Sequence, residues 1–254
     1  MKDRYMLKTA EAVKIYETVK DLPIIDYHCH LSPKEIYEDK PFENIAEMWL
    51  AGDHYKWRLM RTAGIDEYYI TGGASWREKF LSYAKALEYA AGNPLYHWSH
   101  MELSQFFGID DTLTAENADK IYDRANEYIK KNNLSPRMLI KQSGVEALCT
   151  TDDITVSLEF HRKLSAEDDE VKVLPSFRTD NLLLILRQGY AEYIAKLSEV
   201  SGTEISDLAS LKAAVEKRLE FFVSNGCKFT DVGIPFFPAG AAGEADADRT
   251  FKAA

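Results

Sequence analysis

The amino-acid sequence predicts an α/β protein that contains the first strands of a parallel (β/α)8 barrel and a large helical insertion after strand 1. Three observations lead to this fold class. The length of 254 residues, 46% of them hydrophobic, is typical of one α/β barrel or of two modest domains. Strand-like and helix-like segments alternate after Gly144. The long stretch before it shows helical segments and turn signals but no strand-like alternation.

The N-terminal part, residues 1–30, is predicted to form one helix and the first barrel strand. Thr9 is a suitable N-cap for an amphipathic helix over residues 9–20. Pro23 ends this helix, and residues 24–30 follow as a strand. The apolar face of the helix consists of Ala12, Ile15, Tyr16 and Val19.

The insertion, residues 31–144, is predicted to be mostly helical and is rich in aromatic residues. Glycine-containing turns separate its helical segments, which indicates several short helices rather than one long one. The segments expected to be helical are Ile45–Trp49, Trp57–Ala63, Trp76–Tyr89, Tyr96–Phe107 and Ala115–Lys131.

Residues 145–254 are predicted to hold the barrel βα units. Buried-type strands are expected at 145–151, 171–178 and 226–231, with helices between them, and this order favours a parallel sheet with right-handed crossovers. Outside the insertion about 140 residues remain, which is room for about four βα units of roughly 30 residues each. The last residues resemble a helix without a C-cap, so we expect a barrel that is incomplete at the C-terminus.

The charge and hydropathy of the chain disfavour two classes of partner. The formal net charge is −10, and a chain this acidic repels the phosphates of nucleic acid. No apolar run approaches the ~18–20 residues needed to span a bilayer. A small anionic substrate is still compatible with the sequence. Its binding would need a local cation that outweighs the repulsion from the overall negative charge.

The cysteines and the N-terminus predict a cytoplasmic protein. Cys29, Cys149 and Cys227 are odd in number and far apart, and each lies in an apolar run beside an expected strand. Reduced, buried thiols are therefore expected rather than disulfides or metal ligands. The N-terminus lacks the apolar core of a signal peptide.

His28 and His30 are the strongest chemical signal in the sequence. Residues i and i+2 of a strand point to the same side, so both imidazoles would face one side of the strand end and bind one metal ion. Imidazole suits zinc, manganese or iron, and two such ligands leave positions for a carboxylate, water and substrate. The alternative is a pair of hydrogen-bonded histidines without a metal.

Arg178 stands at the end of an apolar strand, the edge at which the active sites of parallel barrels form. Its planar guanidinium suits bidentate carboxylate binding and would supply the local cation that an acidic protein needs. A surface salt bridge is the alternative role.

The other candidate residues are interpreted mainly as structural. His97 and His100 are three residues apart on an expected helix, with no acidic residue at a matching spacing. His161 is expected to face solvent from a crossover helix. Asp152 and Asp153 follow a strand and precede a helix, which favours N-capping and leaves a role in the site open.

Four further segments carry a more specific signal. They are Asp-His-Tyr-Lys-Trp-Arg-Leu-Met-Arg at 53–61, Gly-Asn-Pro-Leu-Tyr-His-Trp at 92–98, Leu-Cys-Thr-Thr-Asp-Asp at 148–153 and Leu-Pro-Ser-Phe-Arg at 174–178. The His-x-His pair at the end of a first barrel strand resembles the amidohydrolase superfamily. In their order and spacing, the pair and the four segments together resemble the glucuronate (uronate) isomerases, from about Leu7 to the last residue.

The resemblance implies a TIM-type barrel and an aldose–ketose isomerisation. The reaction would interconvert D-glucuronate and D-fructuronate, and D-galacturonate and D-tagaturonate. The resemblance also implies that His28 and His30 bind a divalent metal and that Arg178 binds the carboxylate of the uronate. His54 and Tyr55 match a pair that reaches from the helical insertion towards the substrate as catalytic groups.

Two departures from the family pattern limit these expectations. Asp231 is followed by Val232 where family members often have a histidine, so Asp231 is only a weak candidate. The metal-binding aspartate and a second arginine of the family belong to later barrel strands, which are expected beyond the end of this chain. Zinc, the expected metal, would therefore be held weakly. A metal-dependent hydrolase of the same superfamily and an inactive truncated fragment stay open as alternatives, and a homo-oligomer is one option.

Overall fold

The computed structural model describes residues 7–167, 170–234 and 240–254, which form two compact units. The helical unit contains the described residues up to Leu22 together with Asp39–Gly144. The sheet unit contains Pro23–Glu38 and the described residues from Val145 onwards. None of the helices in these ranges is long and apolar enough to cross a membrane.

The order of the elements confirms a helical stretch after the first strand and an alternation of strands and helices after it. In chain order the elements are α1 (Ala10–Val19), β1 (Ile24–Asp26), α2 (Pro33–Glu38), α3 (Ile45–Leu50), α4 (His54–Thr62), a 3-10 helix (Glu67–Tyr69), α5 (Trp76–Glu88), α6 (Pro94–Phe107), α7 (Ala118–Asn132), α8 (Pro136–Gln142), β2 (Val145–Asp153), α9 (Glu159–Ala166), β3 (Lys172–Arg178), α10 (Asp180–Leu183), α11 (Tyr190–Ser201), α12 (Leu208–Ser224), β4 (Thr230–Asp231) and α13 (Glu244–Ala253).

Helix α1 begins where the sequence predicts, but its apolar face is not buried. The side chain of Thr9 accepts a 3.1 Å hydrogen bond from the Ala12 N–H, as an N-cap should. Ile15 and Val19 are nevertheless exposed over 64% and 45% of their surface. The periodicity therefore predicts the helix correctly, although the apolar face does not join the core.

The core of the helical unit forms around α5. Phe80 and Tyr83 of this helix are fully buried, and the Trp49 ring of α3 stacks on Phe80 with 5.8 Å between the ring centroids. The Tyr83 hydroxyl shares a 2.7 Å hydrogen bond with the Ser99 hydroxyl of α6, so its buried oxygen is satisfied. Much of the aromatic content noted in the sequence thus belongs to the packed interior.

The sheet unit is built on four parallel strands in the order β1-β2-β3-β4, as the sequence predicts. The register pairs Asp153 of β2 with Arg178 of β3, and Arg178 with Asp231 of β4. Paired residues in parallel strands point to the same face of the sheet, and all three lie at the carboxyl ends of their strands. The sheet therefore gathers charged side chains at one edge.

Buried side chains of β3 and α12 fix the position of this edge. Phe177 packs edge-on against Phe222, with 5.2 Å between the ring centroids. Arg218 is buried, and its guanidinium donates 2.7 Å hydrogen bonds to the carbonyl oxygens of Ile154 and Val156. These two carbonyls follow β2, so Arg218 holds the segment that leaves the carboxyl end of that strand.

Strand β1 is shorter than predicted, since it ends at Asp26 and not at His30. The Asp26 side chain accepts a 3.4 Å hydrogen bond from the His28 N–H, which turns the backbone out of the ladder. The chain stays next to β2, because the Cys29 N–H donates to the Cys149 carbonyl at 3.0 Å. His28 and His30 therefore lie in the segment after β1, beside the end of the sheet.

Strand β4 is also shorter than predicted and contains only Thr230 and Asp231. Gly226 has a φ of +91°, and the Cys227 N–H donates to the Phe222 carbonyl at 3.0 Å. Gly226 and Cys227 therefore complete the C-terminal turn of α12, and the strand begins only after them.

Candidate active site

Arg178 occupies the centre of the charged edge, where its side chain is 26% exposed. Its Nε donates to Asp180 Oδ2 at 2.8 Å, and its Nη1 donates to Asp231 Oδ2 at 3.0 Å. The hydrogen bond to Asp180, with a further contribution from Asp231, raises the pKa of the guanidinium. The ion pairs considered from the sequence are thus present, but they do not use all five N–H donors of the side chain.

His28 and His30 remain neighbours although β1 ends before them. Their ring centroids are 5.0 Å apart, with the rings edge-on. His28 Nδ1 lies 3.5 Å from Asp231 Oδ2, the same oxygen that Arg178 contacts. His30 Nδ1 lies 3.3 Å from the Thr151 hydroxyl of β2. The structure therefore brings both histidines to the carboxyl edge of the sheet, next to Arg178.

No complete metal site is found among the described residues. Nowhere in 7–167, 170–234 and 240–254 do three or more His, Cys, Asp or Glu side chains stand together in a group that could hold a metal ion. His28 and His30 supply two imidazoles, whereas closed zinc sites use four ligands and catalytic ones use three. The pair suits a divalent metal in ligand type, but two ligands are fewer than either kind of zinc site uses.

His54 and Tyr55 belong to the helical unit, where they open α4. The Asp53 carboxylate caps the helix by accepting the Tyr55 N–H at 2.9 Å and the Lys56 N–H at 3.1 Å. The two rings lie side by side with centroids 4.4 Å apart, and Tyr55 is 58% exposed. Both side chains are therefore held on a capped helix start and are accessible to a ligand.

The expectation that His161 faces solvent is wrong. His161 is 3% exposed, and its Nε2 lies 2.7 Å from the Thr150 hydroxyl, which also donates to Asp152 Oδ2 at 2.6 Å. Burial lowers the pKa of His161 and raises that of Asp152. The three side chains form a buried polar network between β2 and α9. Thr150 and Asp152, two residues apart in a buried strand, could have indicated such a partner.

The expectation that Asp152 and Asp153 cap a helix is also wrong. Both residues belong to β2, and the position before α9 is taken by Leu158, which has a φ of +55° and makes no side-chain cap. Asp153 Oδ1 instead accepts the Thr155 N–H at 2.9 Å, which turns the chain after the strand. Asp153 Oδ2 accepts from the Asn181 side chain at 2.8 Å. The carboxylate thus ties the end of β2 to the segment after β3.

His100 has the structural role that the sequence favours. It is buried, its Nδ1 lies 2.6 Å from the Tyr96 carbonyl, and its Nε2 accepts the Leu113 N–H at 2.9 Å. Burial lowers the pKa of His100. The imidazole is therefore the neutral tautomer that donates from Nδ1 and accepts at Nε2.

Acidification is expected to weaken this contact. Protonation of His100 converts the Nε2 acceptor into a donor, so the hydrogen bond from the Leu113 N–H is lost. Because the pKa of His100 is lower in the folded than in the unfolded chain, its stabilisation is full above about pH 6.5 and falls below it. The loss is about 1.4 kcal/mol for each unit of difference between the two pKa values.

Urea unfolding and exchange of the Leu113 amide, measured at about pH 8 and about pH 5.5, test this expectation. His97→Gln, on the same helix, should follow the unmodified chain. His100→Gln should lose less stability on acidification, because the titrating group is gone. An equal loss in the His100→Gln variant would contradict the role assigned to His100.

Sequence reasoning does not single out Asp180 or Gly233, which complete the surroundings of Arg178. Asp180 Oδ1 accepts the Gly233 N–H at 2.7 Å while its other oxygen faces the guanidinium. Asp180, Leu184, Gly233 and Ile234 line a cavity of about 260 Å³. Asp180 could have been found from the sequence, because it follows Arg178 by two residues at a strand end. Gly233 could not, because it is far from both residues in the sequence.

Comparisons with known proteins give one family for the whole chain. The family model described as UxaC, glucuronate isomerase, matches residues 1–254. The uronate isomerase of Caldanaerobacter subterraneus subsp. tengcongensis is 48% identical over 99% of this chain, and that of Clostridium acetobutylicum is 47% identical over 100% of it. The crystal structure of uronate isomerase from Thermotoga maritima covers the whole chain with a TM-score of 0.88 and 34% identity.

The match concerns one part of each relative. This chain covers 54% of the Caldanaerobacter protein, 55% of the Clostridium protein and 59% of the Thermotoga chain. It therefore spans little more than half the length of the relatives that it matches. Over that span the similarity is continuous, and the chain belongs to the glucuronate isomerase family.

Proposed function

We propose that the chain acts in the isomerisation of uronates, interconverting D-glucuronate and D-fructuronate, and D-galacturonate and D-tagaturonate. One observation carries this proposal beyond family membership. Asp231 Oδ2 lies 3.0 Å from Arg178 Nη1 and 3.5 Å from His28 Nδ1. A cation suited to a carboxylate and a histidine pair thus share one edge of a parallel sheet, where barrel enzymes bind their substrates.

Arg178 would bind the carboxylate that distinguishes a uronate from a neutral sugar. The guanidinium is planar and permanently charged, and a carboxylate can accept two of its parallel N–H groups. This contact supplies the local cation in a chain whose formal net charge is −10. Anchoring the C6 carboxylate would orient the rest of the open-chain sugar and reduce the entropy lost in the reaction.

His28 and His30 would hold a divalent metal, for which zinc is the first choice. With Nδ1 of His28 turned towards Asp231, Nε2 is the nitrogen left for the metal, and the carboxylate would orient the ring. When bound, such a metal would polarise the oxygens at C1 and C2 of the sugar. Two neutral imidazoles alone hold zinc weakly, so we expect metal binding by this chain to need a large excess of zinc.

The reaction opens the sugar ring and then moves a proton from C2 to C1 through a cis-enediol. The hydroxyl proton at O2 leaves as the C2 carbonyl forms, and O1 gains a proton. Tyr55 and His54 are our candidates for exchanging protons with these oxygens, since a phenol and an imidazole can both donate and accept. Tyr55 and an aspartate that the family carries in its later barrel strands are equal candidates for the side chain that takes the C2 proton.

The proposal includes a cytoplasmic location, which the free thiols of Cys29, Cys149 and Cys227 support. The partner is the small uronate itself, and self-association into a homo-oligomer remains open within the proposal.

An isomerase assay tests the proposal directly. The chain is incubated with D-glucuronate and excess zinc, and the ketose D-fructuronate is followed by NMR. We expect ketose to form and a parallel panel of sugar lactones and amides to stay intact. Hydrolysis of the panel without ketose would favour a metal-dependent hydrolase. Absence of both reactions, whether or not D-glucuronate binds, would contradict isomerase activity in this chain.

A further inference from the structure

The guanidinium of Arg178 is held along one side by a single carboxylate oxygen. Asp180 Oδ2 lies 2.8 Å from Nε and 2.7 Å from Nη2. Nη1 is in contact with a different residue, Asp231. Asp180 therefore occupies the Nε–Nη2 side of the planar group. Among these contacts, Nη1 and Nη2 each keep one further N–H that a ligand carboxylate can accept.

Asp180 is itself fixed by a backbone group from another part of the sheet unit. Its Oδ1 accepts the Gly233 N–H at 2.7 Å, so each carboxylate oxygen has a separate partner. Burial favours the neutral carboxyl, but the Gly233 N–H and the Arg178 guanidinium together hold the pKa of Asp180 below its usual value. The carboxylate thus connects the end of β3 to the segment that follows β4.

This connection depends on the absence of a side chain at position 233. A Cβ added to Gly233 would lie 3.0 Å from Asp180 Oδ2 and 3.3 Å from Arg178 Nη2. Both distances are shorter than ordinary van der Waals contacts, so the carboxylate and the guanidinium would have to shift. The close approach of this backbone to the ion pair is what lets Asp180 hold Arg178 in one orientation.

An ordinary surface ion pair does not have these features. Exposed pairs such as Arg124 and Asp111 join two side chains whose other sides face water. In contrast, Arg178 and Asp180 are each 26% exposed, and the carboxylate has a second, backbone anchor. An arginine side chain that is already held in one orientation loses less conformational freedom when a ligand binds to it.

We infer that Asp180 is a positioning residue, which orients the Arg178 guanidinium so that its remaining N–H donors receive the carboxylate of the substrate. This inference rests on the proposed function, because the ligand that Arg178 would receive is a uronate. Asp180 does not contact the reacting carbon atoms in this role. It acts through Arg178, and Gly233 acts through Asp180.

The first measurement needs no substrate. In the full 254-residue chain, the Arg178 Nε–H resonance should be separate from those of other arginines and slow to exchange, because Asp180 accepts that proton. Asp180→Ala should make it exchange rapidly, because the acceptor is gone. Asp180→Asn should shift the signal, because a neutral amide oxygen can accept from only one of Arg178 and Gly233. Asp111→Ala, which breaks an exposed ion pair, should leave the signal unchanged. An unchanged Arg178 signal in both Asp180 variants would overturn the inference.

The second measurement asks whether the orientation matters for binding. Dissociation constants for D-glucuronate and for its uncharged amide are compared by titration. By analogy with groups that orient a metal ligand, Asp180→Ala should weaken D-glucuronate binding about 10–100-fold and leave binding of the amide nearly unaffected. Gly233→Ala keeps every charge and should also weaken D-glucuronate binding more than binding of the amide. The test therefore does not depend on whether the Asp180→Ala variant folds.

The outcomes distinguish a failure of the proposed function from a failure of the role of Asp180. If the unmodified chain binds neither compound, the proposed function fails, whatever the Arg178 signal shows. If it binds D-glucuronate and Asp180→Ala binds it equally well or better, the role of Asp180 fails while the proposed function stands. An equal loss of affinity for D-glucuronate and for its uncharged amide would also overturn the inference. Such a loss would indicate general disruption of the site and not a lost contact to the carboxylate.

Discussion

Replacing Arg178 with alanine is expected to lower kcat/KM for D-glucuronate by about 10²–10³-fold, which corresponds to about 3–4 kcal/mol of transition-state binding. Two effects act together. The substrate carboxylate loses its cationic partner, and the carboxylates of Asp180 and Asp231 lose the guanidinium with which they form ion pairs. The altered site would repel a uronate instead of attracting it.

Steady-state kinetics of the isomerase reaction check this expectation. Arg162→Ala removes an exposed arginine from α9 and controls for the loss of one positive charge from the chain. Arg178→Lys keeps the charge but not the planar pair of donors, so it should recover only part of the loss. Normal kcat and KM in Arg178→Ala would refute the assignment of Arg178 to the substrate carboxylate.

Replacing His28 with alanine is expected to abolish isomerase activity and to reduce zinc binding. Groups that merely orient a metal ligand already contribute 10–100-fold to affinity or activity, so loss of a direct ligand should cost more than about 100-fold. The substitution leaves one imidazole of the pair and removes the contact between His28 Nδ1 and Asp231 Oδ2. Arg178 should remain in place, because its hydrogen bonds to Asp180 and Asp231 do not involve His28.

Zinc content after equilibrium dialysis, measured beside the isomerase assay, tests this second expectation. His97→Ala is the matched control, since it removes a partly buried imidazole of the helical unit to which no ligand role is assigned. Turnover and zinc content equal to those of the unmodified chain would rule out His28 as a metal ligand. Loss of activity with unchanged zinc binding would contradict the ligand assignment and leave His28 a role at the substrate only.

The successes and failures of sequence reasoning have separate physical causes. The sequence predicts strand β3 to within one residue, because a short, mainly apolar segment that ends in Arg178 is a local pattern. His161 was misplaced because a single histidine on a helix does not reveal which side faces the sheet. The sequence also does not reveal that β1 ends at Asp26. The Asp26 side chain accepts the His28 N–H in place of a strand hydrogen bond, and this depends on local geometry.

By itself the sequence determined the order of strands and helices, the parallel sheet and the family to which the chain belongs. These properties depend on periodicity, turn residues and motif spacing, which act over short distances along the chain. Only the tertiary structure decided that Asp231 lies between Arg178 and His28, and that Gly233 supports Asp180. Such contacts join residues 53 positions apart or more, and they are set by strand register and by packing of the crossover helices, which no local pattern encodes.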